Sequence, residues 1–372
     1  MYIHIPFCKQ KCHYCNFFTT VSLKNKDRIV DSICKELRLK RNFLSSNKLT
    51  TLYFGGGTPS LLSNKDFDLI FAAIHKYYTI DDDTEITVEA NPEDLNKDKL
   101  LHFKQLGINR LSIGTQSFND EILHQLNRNH SSKEAINSIV LAKELGFNNL
   151  NIDLIYGVPG LTENCWEDTL NTFLSLDISH LSAYSLTLEP KTTLDFLIRN
   201  KRYPPLREKD SLVHWKYLLN FIKNNNYEQY EISNFCKNSF YSRHNTNYWK
   251  QKEYLGIGPA AHSFNLVSRQ WNIAQIEKYI QDIDNNINFN GSELLTKNDA
   301  YNEFVMLGLR TKWGFSLKEV KKRFGDNGYN YCLTIISTDS FKKYLLDNTD
   351  KVILNEEGLK IADKLASELF IV

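Results

Sequence analysis

Three of the seven cysteines, Cys8, Cys12 and Cys15, fall within eight positions in the order C-x3-C-x2-C. Thiolates this close can turn inward on one loop and grip a soft inorganic centre. Three is an odd number of ligands. A structural zinc site is closed by four N or S ligands, and His4 or His13 can complete such a set. A [4Fe–4S] cluster has four irons, so three thiolates leave one iron open to a substrate or cofactor. A disulfide with a spare thiol fits an intracellular chain poorly. The other four cysteines are scattered and read mainly as packing residues.

Further polar residues recur at the ends of apolar runs. Gly55-Gly56-Gly57-Thr58-Pro59 follows one run. Its glycines allow a ligand to approach the backbone closely. No G-K-[ST] follows, and Ser60 stands where a dinucleotide fingerprint needs a third glycine. Glu89 ends an otherwise apolar run, and such a carboxylate must find a partner. Gln116 ends the next run and offers both a donor and an acceptor. Arg128 follows, able to meet a carboxylate. Asp153 lies inside Asn151–Tyr156, and Ser182, Tyr184 and Ser185 close the following run. The second half carries His244-Asn245-Thr246-Asn247-Tyr248-Trp249, then Leu255-Gly256-Ile257-Gly258-Pro259-Ala260-Ala261-His262-Ser263. By composition alone, that stretch is an aromatic packing cluster around a satisfied histidine.

The cysteine loop directly after a short strand, with Tyr14 before the last cysteine, resembles the radical S-adenosylmethionine (SAM) proteins. The strand-end set resembles their coproporphyrinogen-dehydrogenase-like branch. The resemblance implies a [4Fe–4S] cluster on Cys8, Cys12 and Cys15, with the open iron binding the amino and carboxylate groups of SAM. It implies SAM contacts from Tyr2, Tyr14, Gly56, Gly57, Thr58, Glu89, Gln116, Arg128, Asp153 and Ser185. The H-N-x-x-Y-W and L-G-x-G-P-x-A-H-S stretches resemble a haem-chaperone subgroup of the branch. That implies haem binding by His244, Asn245, Tyr248 and Trp249. Imidazole and phenolate can ligate haem iron, and Trp and Tyr offer flat apolar surface. His262 is a second candidate ligand and Cys236 a third. Oxidases of the branch typically carry a cysteine two positions after the third cluster cysteine, where this chain has Phe17. They also have an extension before the cluster strand, where this chain begins.

These residues need elements to position them. Residues 1–190 alternate short apolar runs with helical stretches. The runs are Tyr2–Phe7, Thr51–Phe54, Glu85–Glu89, Arg110–Thr115, Leu150–Tyr156 and His180–Leu186. Between them, Ile29, Val30, Ile33 and Leu37, and then Phe67, Ile70, Phe71 and Ile74, recur at helical spacing. Asn91-Pro92-Glu93-Asp94 and Ser131–Glu134 carry helix-start chemistry. Such alternation predicts parallel strands with right-handed crossovers, as an open sheet or an incomplete barrel. The resemblance implies a partial (βα)6 barrel, within an α/β fold, with ligand chemistry at the C-terminal strand ends. The expected division is a barrel over residues 1–195, a middle segment over 196–290, and a small, mainly helical, winged-helix-like domain over 291–372. Residues 191–205 read as a boundary and 227–271 as strand and loop. Val352–Gly358 reads as a wing-like hairpin.

The 372 residues are 42% hydrophobic and 24% charged, with net charge +1. That balance is ordinary for a globular chain and supplies no field for nucleic acid or an anionic surface. No run of about 18 apolar residues predicts a membrane span. Met1 leads straight into the first strand, leaving no room for a signal peptide. Unpaired cysteine usage indicates a reducing compartment, so the expected location is cytoplasmic. The expected function is to bind haem and pass it to an acceptor protein, respiratory haem proteins being one class. An electron donor is needed if SAM is cleaved. The alternative is radical decarboxylation of coproporphyrinogen III, and the sequence leaves the catalytic assignment open. RNA modification fits less well, because no basic, aromatic surface is evident.

Overall fold

The computed structural model describes residues 1–348 and 350–371. The six apolar runs form β1 (Tyr2–Ile5), β2 (Thr51–Gly56), β3 (Glu85–Ala90), β4 (Arg110–Gln116), β5 (Asn149–Tyr156) and β6 (His180–Ser185). They pair in chain order, all parallel. Parallel neighbours need crossovers. These contain α1 (Lys26–Leu39), α2 (Asn64–Tyr77), α3 (Lys97–Gln105), α4 (Asp120–Gln125), α5 (Ser132–Glu144) and α6 (Glu163–Ser175). The apolar stripes predicted on α1 and α2 are the buried faces of those helices, as a 3.6-residue period requires. Ser63 with Asp66 and Ser131 with Glu134 form capping boxes that start α2 and α5. Asn91 does not cap α3. The segment Pro92–Asp94 makes a single 3₁₀ turn, and Asn96 caps the helix instead.

The middle of the chain departs from its expected reading. The stretch 191–205 contains a helix, α7 (Thr193–Arg199), before α8 (Glu208–Asn224). Next, β7 (Glu228–Gln229) and β8 (Asn234–Cys236) add to β6 in antiparallel fashion. The signature expected in strand and loop forms a helix, α9 (Arg243–Trp249), whose first turn is capped by Ser242. After it, β9 (Gly256–Ile257) pairs in parallel with β1. The result is one nine-stranded sheet, ordered β7-β8-β6-β5-β4-β3-β2-β1-β9. Outside it, β10 (His262–Phe264), β11 (Ser268–Asn272) and β12 (Asn290–Leu294) make an antiparallel meander, with α10 (Ile276–Asp284) between the last two. One apolar core runs from Met1 to Phe289, so the middle segment shares it with the barrel.

Glu36 of α1 ties this seam. Its fully buried carboxylate accepts from Gly258 N–H at 2.8 Å, Asn272 Nδ2 at 2.7 Å and Tyr279 Oη at 2.6 Å. Burial nevertheless pushes its pKa up to about 7.

A second apolar core spans Tyr301 to Leu369. It includes α11 (Lys297–Leu309) and α12 (Leu317–Ile336), the latter kinked at Gly325 with φ 78°. Among the described residues, Val352–Gly358 does not fold back on itself as the expected hairpin; Leu354 bridges Leu345 in antiparallel fashion. Lys351–Val352 pairs with Phe315–Ser316, and Asn355 caps a short helix, Glu356–Leu359. Among the described residues, no helix is long and apolar enough to cross a membrane.

Candidate functional site

The cysteine loop leaves β1 and is laced at both ends. Cys8 N–H donates to Thr20 O at 3.0 Å, and Thr20 N–H returns to Pro6 O at 2.7 Å. Farther along, His13 N–H and Nδ1 bond the carbonyls of Leu126 and Gln125, at 3.3 and 3.0 Å. Asn127 Nδ2 donates to Lys11 O at 2.8 Å. Asn127 has φ 59°, the left-handed geometry that ends α4. The loop is therefore held against the end of α4, from which Arg128 projects.

The β2 glycines approach the same loop from the other side. Gly57 N–H bonds Ile5 O at 2.8 Å, and Thr58 N–H bonds Phe7 O at 2.7 Å. A Cβ on Gly57 would stand 2.6 Å from Phe7 O, and one on Gly56, where φ is 109°, 2.5 Å from the His4 ring. Only glycine permits this approach. Thr58 Oγ1 lies 3.5 Å from Cys8 Sγ.

All three cysteines line one cavity of about 600 Å³. Tyr14, Gly56, Gly57, Thr58, Glu89, Gln116, Arg128, Asp153 and Ser185 line it too, drawn from the cysteine loop, from β2 to β6 or the turns that follow them, and from the α4 terminus. The β4–β5 register slips between Ile113 and Gln116, and Gln116 takes φ 67°. Such a bulge re-aims a side chain. Glu89 accepts from Tyr53 Oη at 2.7 Å and Gly56 N–H at 3.1 Å, and burial pushes its pKa up to about 7. Asp153 accepts from Asn151 Nδ2 at 2.8 Å and lies 3.4 Å from Ser112 Oγ, and burial raises its pKa as well. Tyr2 is set apart. Its hydroxyl bonds His4 Nδ1 at 3.0 Å, and its ring stacks on Tyr53 outside the cavity lining.

These residues fit an iron–sulfur cluster with SAM. Among the described residues, no three His, Cys, Asp or Glu side chains gather closely enough for a single metal ion. A four-iron cluster places its thiolates on separate irons and so needs a wider triangle. His4 is taken at both nitrogens, by Tyr2 and by Phe18 O at 2.9 Å, which leaves none for zinc. Burial pushes the Cys8 and Cys15 thiols up, an effect that a cationic iron centre offsets. Arg128 donates to Asn91 Oδ1 at 2.7 Å, to Gly114 O at 2.8 Å and to Cys12 Sγ at 3.1 Å. Its Nε is buried with no partner, a donor suited to the carboxylate of SAM. When bound, such a cluster would supply an electron for reductive cleavage of SAM, and the residues named here would hold and orient it. Asn91, read as a cap in the sequence, is a positioning residue for Arg128. Its place directly after the run ending at Glu89 was the available signal.

The second signature resolves differently. His244 is 3% exposed. Its Nδ1 bonds Thr51 Oγ1 at 2.8 Å and its Nε2 bonds Tyr248 Oη at 3.0 Å, while its ring stacks on Tyr53 at 4.8 Å. Burial holds its pKa well below the ordinary value. Asn245 lines the 600 Å³ cavity. Trp249 lines a separate cavity of about 250 Å³ with Trp313 and Phe315. His262, on β10, is exposed and lies 6.4 Å from the Trp271 ring, and Cys236 is buried in β8.

Residues 2–173 match the family model described as the radical SAM superfamily, and 295–328 match the HemN C-terminal domain. The heme chaperone HemW of Bacillus subtilis is 32% identical over 369 residues, which cover 98% of this chain and 97% of that protein. The heme chaperone HemW of Lactococcus lactis is 31% identical over 98% of this chain and 95% of its own length. Among solved structures, coproporphyrinogen III oxidase (HemN) of Escherichia coli, a radical SAM enzyme, superposes with a TM-score of 0.85 at 23% identity. The match covers 99% of this chain and 89% of that one. By its cluster loop, its cavity and its full-length relatives, the chain belongs to the HemW family of radical SAM proteins.

Proposed function

We propose that this protein is a haem chaperone, which binds haem and hands it to an acceptor protein. The observation that carries the reading is the end-to-end match to two relatives whose names state that role. On this reading Cys8, Cys12 and Cys15 hold the cluster. Tyr14, Gly56, Gly57, Thr58, Glu89, Gln116, Arg128, Asp153 and Ser185 hold SAM, and Tyr2 supports them from behind Tyr53. Haem engages the surface around α9 and β10. His262 offers an exposed imidazole for iron, whereas His244 must first release Thr51 or Tyr248. A cytoplasmic location and an electron donor belong to the same reading. Supporting it over the oxidase is Phe17, which stands two positions after Cys15 and is 66% exposed beside the cavity.

The experiment is a paired assay after anaerobic cluster reconstitution. Haem titration followed by absorbance is expected to show saturable binding, and transfer to an apo-haem protein is expected to follow. Coproporphyrinogen III is expected to stay unconverted on product analysis. Turnover to protoporphyrinogen, or absence of haem binding, overturns the reading.

A further inference from the structure

One residue in the cavity has no use in the scheme above. Strand alternation sends Arg110 and Ser112 of β4 to the same face, and both line the cavity, as do Gly114 and, past the bulge, Gln116. Arg110 is 2% exposed, among the largest fully buried side chains. Its Nε has no hydrogen-bond partner, and among the described residues no carboxylate lies within ion-pairing distance of its guanidinium. Arg128, by contrast, makes three bonds in the same cavity. The acids nearby attract Arg110 through space without bonding it. Glu89 is engaged by Tyr53 and Gly56, and Asp153 by Asn151 and Ser112. An unpaired buried guanidinium costs several kcal/mol, so a fold that keeps one in a cavity wall has a use for an anion there.

The chemistry narrows the anion. A guanidinium is a planar fork matched to a carboxylate. Two acids in the same wall disfavour a doubly charged phosphate. The methionine carboxylate of SAM is placed elsewhere. Arg110 opens β4 and Gln116 closes it, six residues and on the order of 20 Å apart along the strand. Arg128 stands at the closing end, against Gly114 and Cys12. Arg110 shares the lining with Tyr53, Ser112, Asn151, Ser182 and Asn245, polar residues that include one of the α9 signature.

We propose that Arg110 anchors a second subsite in the deep end of this cavity, one that takes a carboxylate. On the haem-chaperone reading, on which this assignment rests, the carboxylate is a propionate of haem.

The test titrates reconstituted wild type, Arg110→Met and Arg110→Lys with haem and with haem dimethyl ester, which lacks free carboxylates. Wild type is expected to bind haem about 10-fold more tightly than the ester, the scale of one charge-assisted pair. Arg110→Met loses that preference, and Arg110→Lys keeps part of it. Cluster absorbance and SAM affinity stay within about 2-fold, and the melting temperature does not fall, because an unpaired buried charge has gone. Equal binding of haem and ester by wild type overturns the assignment. So does unchanged haem affinity in Arg110→Met. Loss of SAM binding in that variant also overturns it, making Arg110 a counter-ion for Glu89 and Asp153. Failure of wild type to bind either form overturns the haem-chaperone reading itself, so the two failures are distinguishable.

Discussion

The barrel cavity and α9 arrange their polar residues in opposite ways. In the cavity, residues from 8 to 185 are scattered along the chain yet face one volume. Parallel strands all point their C-terminal ends the same way, so each strand end delivers its side chain to a common mouth. On α9, four signature residues lie within six positions yet reach three environments. A helix turns about 100° per residue, so His244 and Tyr248 share one face, and Asn245 and Trp249 share another. The first pair bond each other and close over the core. The second pair divide between two cavities. Adjacency in sequence therefore means least where the element is a helix, and separation means least where the elements are parallel strands.

The contrast can be broken most severely at the cluster. Cys12→Ala is expected to abolish the iron–sulfur absorbance and the iron content of anaerobically reconstituted protein. Full cluster content in that variant would remove the basis of the shared cavity. At α9, His244→Ala leaves the Thr51 and Tyr248 hydroxyls unpaired and opens space beside Tyr53. We expect a loss of about 3–4 kcal/mol in denaturant unfolding, against under about 1 kcal/mol for Asn245→Ala. Equal losses would erase the distinction between the two faces of the helix. Loss of haem binding by a well-folded His244→Ala protein would instead make His244 the iron ligand.

Within the cavity, Arg128→Met is expected to weaken SAM binding roughly 10–100-fold, the range for a lost charged hydrogen bond. Calorimetry measures it, with cluster absorbance as the control. Unchanged affinity would detach Arg128 from SAM and leave it as support for Cys12 and Asn91.

The mildest test addresses the seam between the two regions. Glu36 titrates near 7 when folded, above its ordinary 4.5. The folded protein keeps this proton where the unfolded chain gives it up. Its contribution to stability is therefore full below about pH 4.5 and declines as the pH rises to about 7, by at most about 1.4 kcal/mol per pH unit. Glu36→Gln should flatten that slope in thermal unfolding measured across the window. An unchanged slope would place the titration elsewhere.

Much of this was legible in the chain. The six strands and their helices follow from short apolar runs alternating with period-3.6 stretches. The cluster loop and glycine turn follow from residue types that few other structures require. The added strands were not legible, because β7 and β9 are two residues long and show no alternation. The partner of β9 also lies far away in sequence, as with Tyr2 and Gly256. The α9 helix was masked by aromatic and Asn residues, although Ser242 gave a cap signal. Arg110 stood at the head of a correctly read strand. The bulge before Gln116 hid the face of Arg110 from a count along the strand, and its lack of a hydrogen-bond partner is a fact of three dimensions.

The pairing of β1 with β9 also bears on the order of assembly. The cluster loop hangs from β1, whose partners are β2, some 50 residues on, and Gly256–Ile257, near the end of the middle segment. At about 5–20 residues per second, synthesis reaches that second partner roughly 13–50 s after β1 leaves the ribosome. During that interval the strand carrying the three cysteines has one open edge. The strand below the cluster loop is therefore framed on both sides only late in the life of the nascent chain.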